Sequence, residues 1–137
     1  MALLATLQFG DNNVGRYTRE YLVTACKTSY ATSYNQFRPD GIARCTRIEV
    51  AVIAPGRDDL NLYDWFVEQG SYSGRVVFDL SELAAGLQGG QRIMKFEDAQ
   101  CFSLSESYDI DTHYRRQIIL AFEAESVTVD DVEFKHL

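Results

Sequence analysis

The chain has 137 residues, the size of one ordinary domain, and can bury a core without a disulfide or metal staple. Apolar residues make up 46% and charged residues 24%, the balance of a soluble globular protein. Thirteen Lys and Arg against 20 Asp and Glu leave a net charge of −7, which argues against a nucleic-acid partner and a polybasic membrane anchor, since both need a basic face.

No apolar run is long enough to span a bilayer, so membrane insertion is not expected. Met1 to Phe9 is apolar but lacks a basic leader and a processing site. If the protein leaves the cell, a route other than general export must carry it. Cys26, Cys45 and Cys101 give an odd count at wide spacing with no CxxC pair, which predicts reduced, strand-borne thiols rather than a disulfide framework or a zinc site.

In chain order, Ala2–Phe9 reads as a short strand stopped by Gly10-Asp11-Asn12-Asn13. Arg16 to Tyr34 is a long segment rich in Tyr, Thr, Val and Ser, residues suited to a pleated surface. A turn at Arg38-Pro39-Asp40-Gly41 follows. Ile42–Ile53 reads as a second long strand, with Ile42, Ile48, Val50 and Val52 on one face and Arg47 and Glu49 on the other.

One short helix interrupts the strands. Asn61 is placed to cap it, Asp64 favours its positive end, and Gly70 is placed to stop it. Leu62, Trp65 and Phe66 recur at helical spacing and are expected to pack as core, because two turns do not persist alone in water. After it, Gly74–Leu80 alternates Val76, Phe78 and Leu80 against Arg75, Val77 and Asp79. Ser81–Gln91 is a glycine-bearing loop that leaves room for a helical turn. Arg92–Leu104 is a strand with a bend, carrying Met94, Phe96, Cys101 and Phe102. A loop at Asp109–His113 leads into the alternating segment Tyr114–Val129, and Val132–Leu137 closes the chain as a short strand. The fold class is therefore mainly β: a single domain over 1–137, a small barrel or tight sandwich of about eight strands with one short helix.

The sequence carries few marks of catalytic or ligand chemistry. No nucleophile arrangement, phosphate loop or dinucleotide fingerprint is present. Asp58-Asp59 and Asp130-Asp131 are adjacent pairs, suited to solvated turns and helix starts rather than to a two-carboxylate site. Asp109-Ile110-Asp111 lacks the Gly and the distal Glu of a calcium loop. His113 is a lone loop histidine, and Arg115-Arg116 is too small for a nucleic-acid track. No catalytic residue, cofactor or metal is expected. The anomaly is Tyr21–Tyr34: beyond Ala25 neither face carries a large aliphatic side chain. Such a strand suits a ribbon packed on a neighbour or lining a wet channel, or else a twisted hairpin projecting into solvent.

Several segments in order carry a family resemblance. They are the helix Leu60-Asn-Leu-Tyr-Asp-Trp-Phe-Val-Glu-Gln69, the strand Ser73–Phe78, then Met94-Lys-Phe-Glu-Asp-Ala-Gln-Cys101, Glu106–Asp109 and the alternating Gln117–Ser126. Together they resemble the Hcp tube protein of type VI secretion systems, in its divergent TssD branch, over nearly the whole chain. The resemblance implies a small β-barrel related to phage tail-tube proteins. It implies homo-hexameric rings that stack into a tube, driven out by a sheath with a spike at the tip and a baseplate at the root, with effectors carried in the lumen. It implies a protein that is cytoplasmic before assembly and secreted through the apparatus without a signal peptide. By position, the turn Tyr34–Arg44 corresponds to the family's ring-to-ring loop, with Phe37, Arg38 and Asp40 touching the next ring and Pro39 and Gly41 shaping the loop. The long strands Tyr21–Tyr34, Ile42–Ile53 and Arg116–Thr128 would build the lumen wall and lateral contacts. Two other readings stand beside it: a monomeric β-barrel carrier of a small apolar ligand, and a phage-type tail tube protein.

Overall fold

The structure, a computed structural model, describes residues 4–32, 34–35, 38–39, 44–56, 58–79, 91–108 and 116–135. Among the described residues ten strands and one helix follow in order: β1 Leu4–Asp11, β2 Arg16–Ala31, β3 Tyr34–Asn35, β4 Arg38–Pro39, β5 Arg44–Ile53, α1 Asn61–Glu68, β6 Tyr72–Asp79, β7 Gln91–Tyr108, β8 Arg116–Glu123, β9 Ser126–Val129 and β10 Val132–Lys135. Eight of the strands form one antiparallel sheet in the order β10-β9-β7-β6-β1-β2-β5-β8. A further pairing of β7 with β8 closes six of them into a ring. Closure removes most strand edges from solvent, which is how small all-β domains avoid edge-to-edge aggregation. The expected Ser81–Gln91 loop, with its possible helical turn, and the Asp109–His113 loop lie outside the described residues, Gln91 excepted.

The long strand β7 makes closure possible by changing partners along its length. Its first half pairs with β6 on one edge, and Met94 to Glu97 pair with β9 on the other. From Gln100 to Tyr108 it pairs with β8 instead. The switch occurs beside Asp98, which adopts a left-handed φ of 53°. There the inward set changes parity, from Met94 and Phe96 to Ala99 and Cys101, all buried. A second extra residue, Phe102, lies between the pairs Cys101↔Phe122 and Ser103↔Ala121 and is turned out, 48% exposed.

The same device bends β2 and β5. On β2, Thr24 is the extra residue between Val23↔Val52 and Ala25↔Ala51, and its hydroxyl donates to the Ala51 carbonyl at 3.2 Å. On β5, Thr46 is the extra residue between Arg47↔Ser29 and Cys45↔Tyr30, and its hydroxyl donates to the Ser29 carbonyl at 3.1 Å. A bulge breaks the ladder locally, and each threonine hydroxyl finds its partner on the strand opposite. The inward set of β5 is therefore Cys45, Ile48, Val50 and Val52 rather than one unbroken run of even positions. At the first turn, Gly10 sits where a Cβ would lie 2.2 Å from the Arg16 carbonyl oxygen, so only glycine admits that approach.

The core is a single cluster. It combines Leu7 and Phe9 of β1, Tyr21 and Val23 of β2, Ile48, Val50 and Val52 of β5, Val76 of β6, and Ile118, Leu120 and Phe122 of β8. β8 ends one residue before Ala124, and the chain turns there into β9, so the long predicted strand Tyr114–Val129 is two strands.

Candidate functional site: the two ends of the barrel

The helix α1 links the end of β5 to the start of β6 and seals that end of the barrel. Trp65 is fully buried and meets Phe9 edge-on with ring centroids 5.2 Å apart, Tyr72 in a parallel stack at 5.2 Å, and Phe122 at 5.1 Å. Its indole N–H donates to the Ala99 carbonyl at 3.1 Å, and the Tyr72 hydroxyl donates to Asn61 Oδ1 at 2.9 Å, so both polar groups of the plug are satisfied. Leu62 is buried beside it. Phe66 is not part of this plug. It lies on the flank of the helix and is 37% exposed, because the buried face is centred on Leu62 and Trp65 and the 100° step per residue carries position 66 off it.

The helix ends also differ from the sequence reading. Asn61 is the first helical residue rather than its cap, and Leu60 occupies the cap position without a side-chain hydrogen bond. Asp59 does the work from just outside, its carboxylate accepting the Asn61 backbone N–H at 3.0 Å and the Tyr21 hydroxyl at 3.0 Å. Arg19 pairs with Asp59 at 3.5 Å. Burial holds the Tyr21 phenol in its neutral form, with its pKa pushed up to about 12. At the other terminus Gln69 takes the left-handed conformation with φ of 54°, one residue before the expected stop at Gly70.

A second clamp, which no spacing in the sequence announces, ties the helix to the far end of the β7–β8 hairpin. The Arg116 guanidinium donates to Glu106 at 2.8 Å and to the Tyr63 hydroxyl. It lies 5.7 Å from the Tyr63 ring centre and 5.9 Å from that of Tyr108. Tyr63 donates to Glu106, and Tyr108 donates to its other carboxylate oxygen at 3.0 Å.

The opposite end of the barrel is built differently. A cavity of about 750 Å³ lies there, walled by Cys26, Thr28 and Tyr30 of β2, floored by Phe78 and Met94, and bounded by the β9–β10 hairpin. Phe134 of that hairpin packs on Tyr30 with ring centroids 4.6 Å apart. The half of β2 beyond Thr24 pairs with β5 on one edge, and among the described residues no strand occupies its other edge. The semi-polar stretch singled out in the sequence is this half-strand. Burial pushes the Cys26 thiol up to about 11 and raises Cys45 and Cys101 as well. The three cysteines are free thiols, protonated at neutral pH and poor nucleophiles.

Among the described residues no three His, Cys, Asp or Glu side chains gather as a metal site, and no helix is long and apolar enough to cross a membrane. Asp58-Asp59 falls at the helix start and Asp130-Asp131 at the β9–β10 turn. Of the five residues expected to form a stacking loop, Arg38 and Pro39 form β4, paired with Asn35 and Tyr34 of β3. Phe37, Asp40 and Gly41 lie outside the described residues, as do His113 and Arg115.

A six-strand closure capped by one short helix, with a small two-stranded turn off its long strands, matches known architecture throughout. The family described as hemolysin coregulated protein Hcp (TssD) matches residues 1–136. The chain belongs to the Hcp (TssD) family. Its fold is similar to that of Hcp1 from Flavobacterium johnsoniae, with a TM-score of 0.73 at 18% identity over 97% of this chain and 99% of that one. Hcp1 from Salmonella typhimurium gives 0.64 at 13% identity, covering 98% and 92%. The anti-feeding prophage baseplate gives 0.51 at 11% identity, covering 96% and 93%. No curated protein sequence matches. At such identities the likeness to these structures speaks for the fold, while the family match speaks for the kinship.

Proposed function

We propose that this Hcp-family chain is a structural subunit of a type VI secretion tube. Six copies close into a ring, rings stack into a tube, sheath contraction expels it, and effectors ride in the lumen. The observation that carries the reading is the family match over residues 1–136. The half-strand Ala25–Ala31 supports it: among the described residues no strand lies on its second edge, and such an edge is suited to pairing with a neighbouring copy. A head-to-tail contact of that kind makes a ring when its rotation closes. Sheath, spike and baseplate proteins are the partners this role requires, and the role asks no catalysis of the subunit. The stacking contact is assigned to Phe37, Arg38, Pro39, Asp40 and Gly41 on family position.

The test is mass by light scattering with negative-stain images of the same sample over a wide concentration range. Rings of about 94 kDa, six times 15.6 kDa, are expected. A chain that stays monomeric without rings at every concentration would sink the reading. A second reading, a phage-type tail tube subunit, draws on the likeness to the prophage baseplate, and the genes flanking this one separate the two.

A further inference from the structure

The open end of the barrel has a composition that ring building does not require. Its cavity of about 750 Å³ falls within the size range of small-molecule sites, and most of its lining is apolar. Three aromatic rings contribute to it: Tyr30, Phe78 and Phe134. Among the described residues the charges at its rim do not cancel. Arg92 pairs with Asp130 at 3.4 Å, and the same Asp130 carboxylate accepts the Ile93 backbone N–H at 3.1 Å. Asp131, next in the turn, also lines the cavity and is exposed. It has no hydrogen bond or ion pair among the described residues, so one negative charge is left over at the rim. From this geometry we infer that the barrel mouth is a binding site for a small amphipathic cation, its apolar body among Phe78, Met94 and Phe134 and its positive head at Asp131.

The chemistry favours that class for two reasons. An anion would meet Asp130 and Asp131 while finding Arg92 already paired. A cation gains Coulomb attraction from Asp131 and from the faces of nearby aromatic rings. Because the rim is wet, the head contributes selectivity rather than most of the affinity, roughly two- to fivefold between opposite charges. Thr28 lines the cavity wall with a small side chain, so an aromatic side chain at position 28 would fill part of the space.

The inference is independent of ring assembly and is tested separately from it. Fluorescence titration with the neutral dye N-phenyl-1-naphthylamine is expected to show one saturable site per chain. Octyltrimethylammonium should displace the dye at a lower concentration than octyl sulfate. Thr28→Phe should weaken dye binding at least tenfold with an unchanged circular dichroism spectrum. Val132→Trp at the exposed rim serves if that variant does not fold. Asp131→Lys, on the surface of the turn, should reverse the preference between the two surfactants. Absence of saturable binding overturns the inference, as does binding that a folded cavity-filling variant leaves unchanged. Equal displacement by the two surfactants also overturns it. A dye that binds dispersed chains but is shut out of assembled rings would give the mouth to a second copy, and the inference would fail there too.

Discussion

The two halves of strand β2 make the comparison that organises this protein. From Arg16 to Val23 it pairs with β1, and its inward residues Tyr21 and Val23 join the sealed core. From Ala25 to Ala31 its only strand partner among the described residues is β5, and its inward residues Cys26, Thr28 and Tyr30 face a cavity. One end of the barrel is closed by its own helix through an aromatic plug, the other by a short hairpin that leaves space behind. A subunit built for assembly benefits from this asymmetry. The sealed end supplies stability within the chain, so the other end is free of that task and can be shaped for contacts beyond it.

The two ends should differ most at the plug. Trp65→Ala is expected to cost about 3–5 kcal/mol in urea denaturation, because it removes three aromatic contacts and leaves the Ala99 carbonyl without its donor. Met94→Ala, equally buried but on the floor of the cavity, is expected to cost about 2 kcal/mol, the low end for such truncations, since it opens onto space already empty. Equal losses at the two sites would erase the distinction between the ends. Smaller still, Thr24→Val and Thr46→Val should each cost about 1 kcal/mol through the lost cross-strand hydrogen bond. A neutral result at both would mean the bulges hold without their hydroxyls.

A pH series sharpens the picture at the helix start. The folded pKa of Tyr21 lies above its ordinary value of 10, at about 12, so the folded state binds this proton more tightly than the unfolded one. Stability from this group is whole below pH 10 and is lost as pH rises from 10 through 12. Tyr21→Phe should flatten the fall of the thermal midpoint across that window, and an unchanged slope would remove Tyr21 from the account. The smallest expected change in stability is at the loop. Pro39→Ala combined with Gly41→Ala should leave the monomer's unfolding midpoint unchanged while reducing tube length in negative-stain images. Full-length tubes from that variant would count against the stacking assignment.

The features legible along the chain follow from short-range physics. Alternation of Val, Ile, Leu and Phe placed most strands, and the Leu62–Trp65 spacing placed the helix and its buried face, because side-chain periodicity and solvent exclusion act residue by residue. The ordered family segments carried the kinship. The candidate site was less legible. A change of parity at Thr24, Thr46, Asp98 or Phe102 depends on which strand lies opposite, so alternation read along one strand passes straight through it. Phe66 looked like core for the same reason, as its neighbours in space and not its hydrophobicity set its exposure. The clamp of Tyr63, Glu106, Tyr108 and Arg116 joins segments more than 40 residues apart, and the cavity exists only because closure of the ring brings β2 opposite the β9–β10 hairpin. Local pattern chose the elements; the tertiary structure chose which of their faces meet, since closing a barrel fixes every strand's register against two neighbours at once.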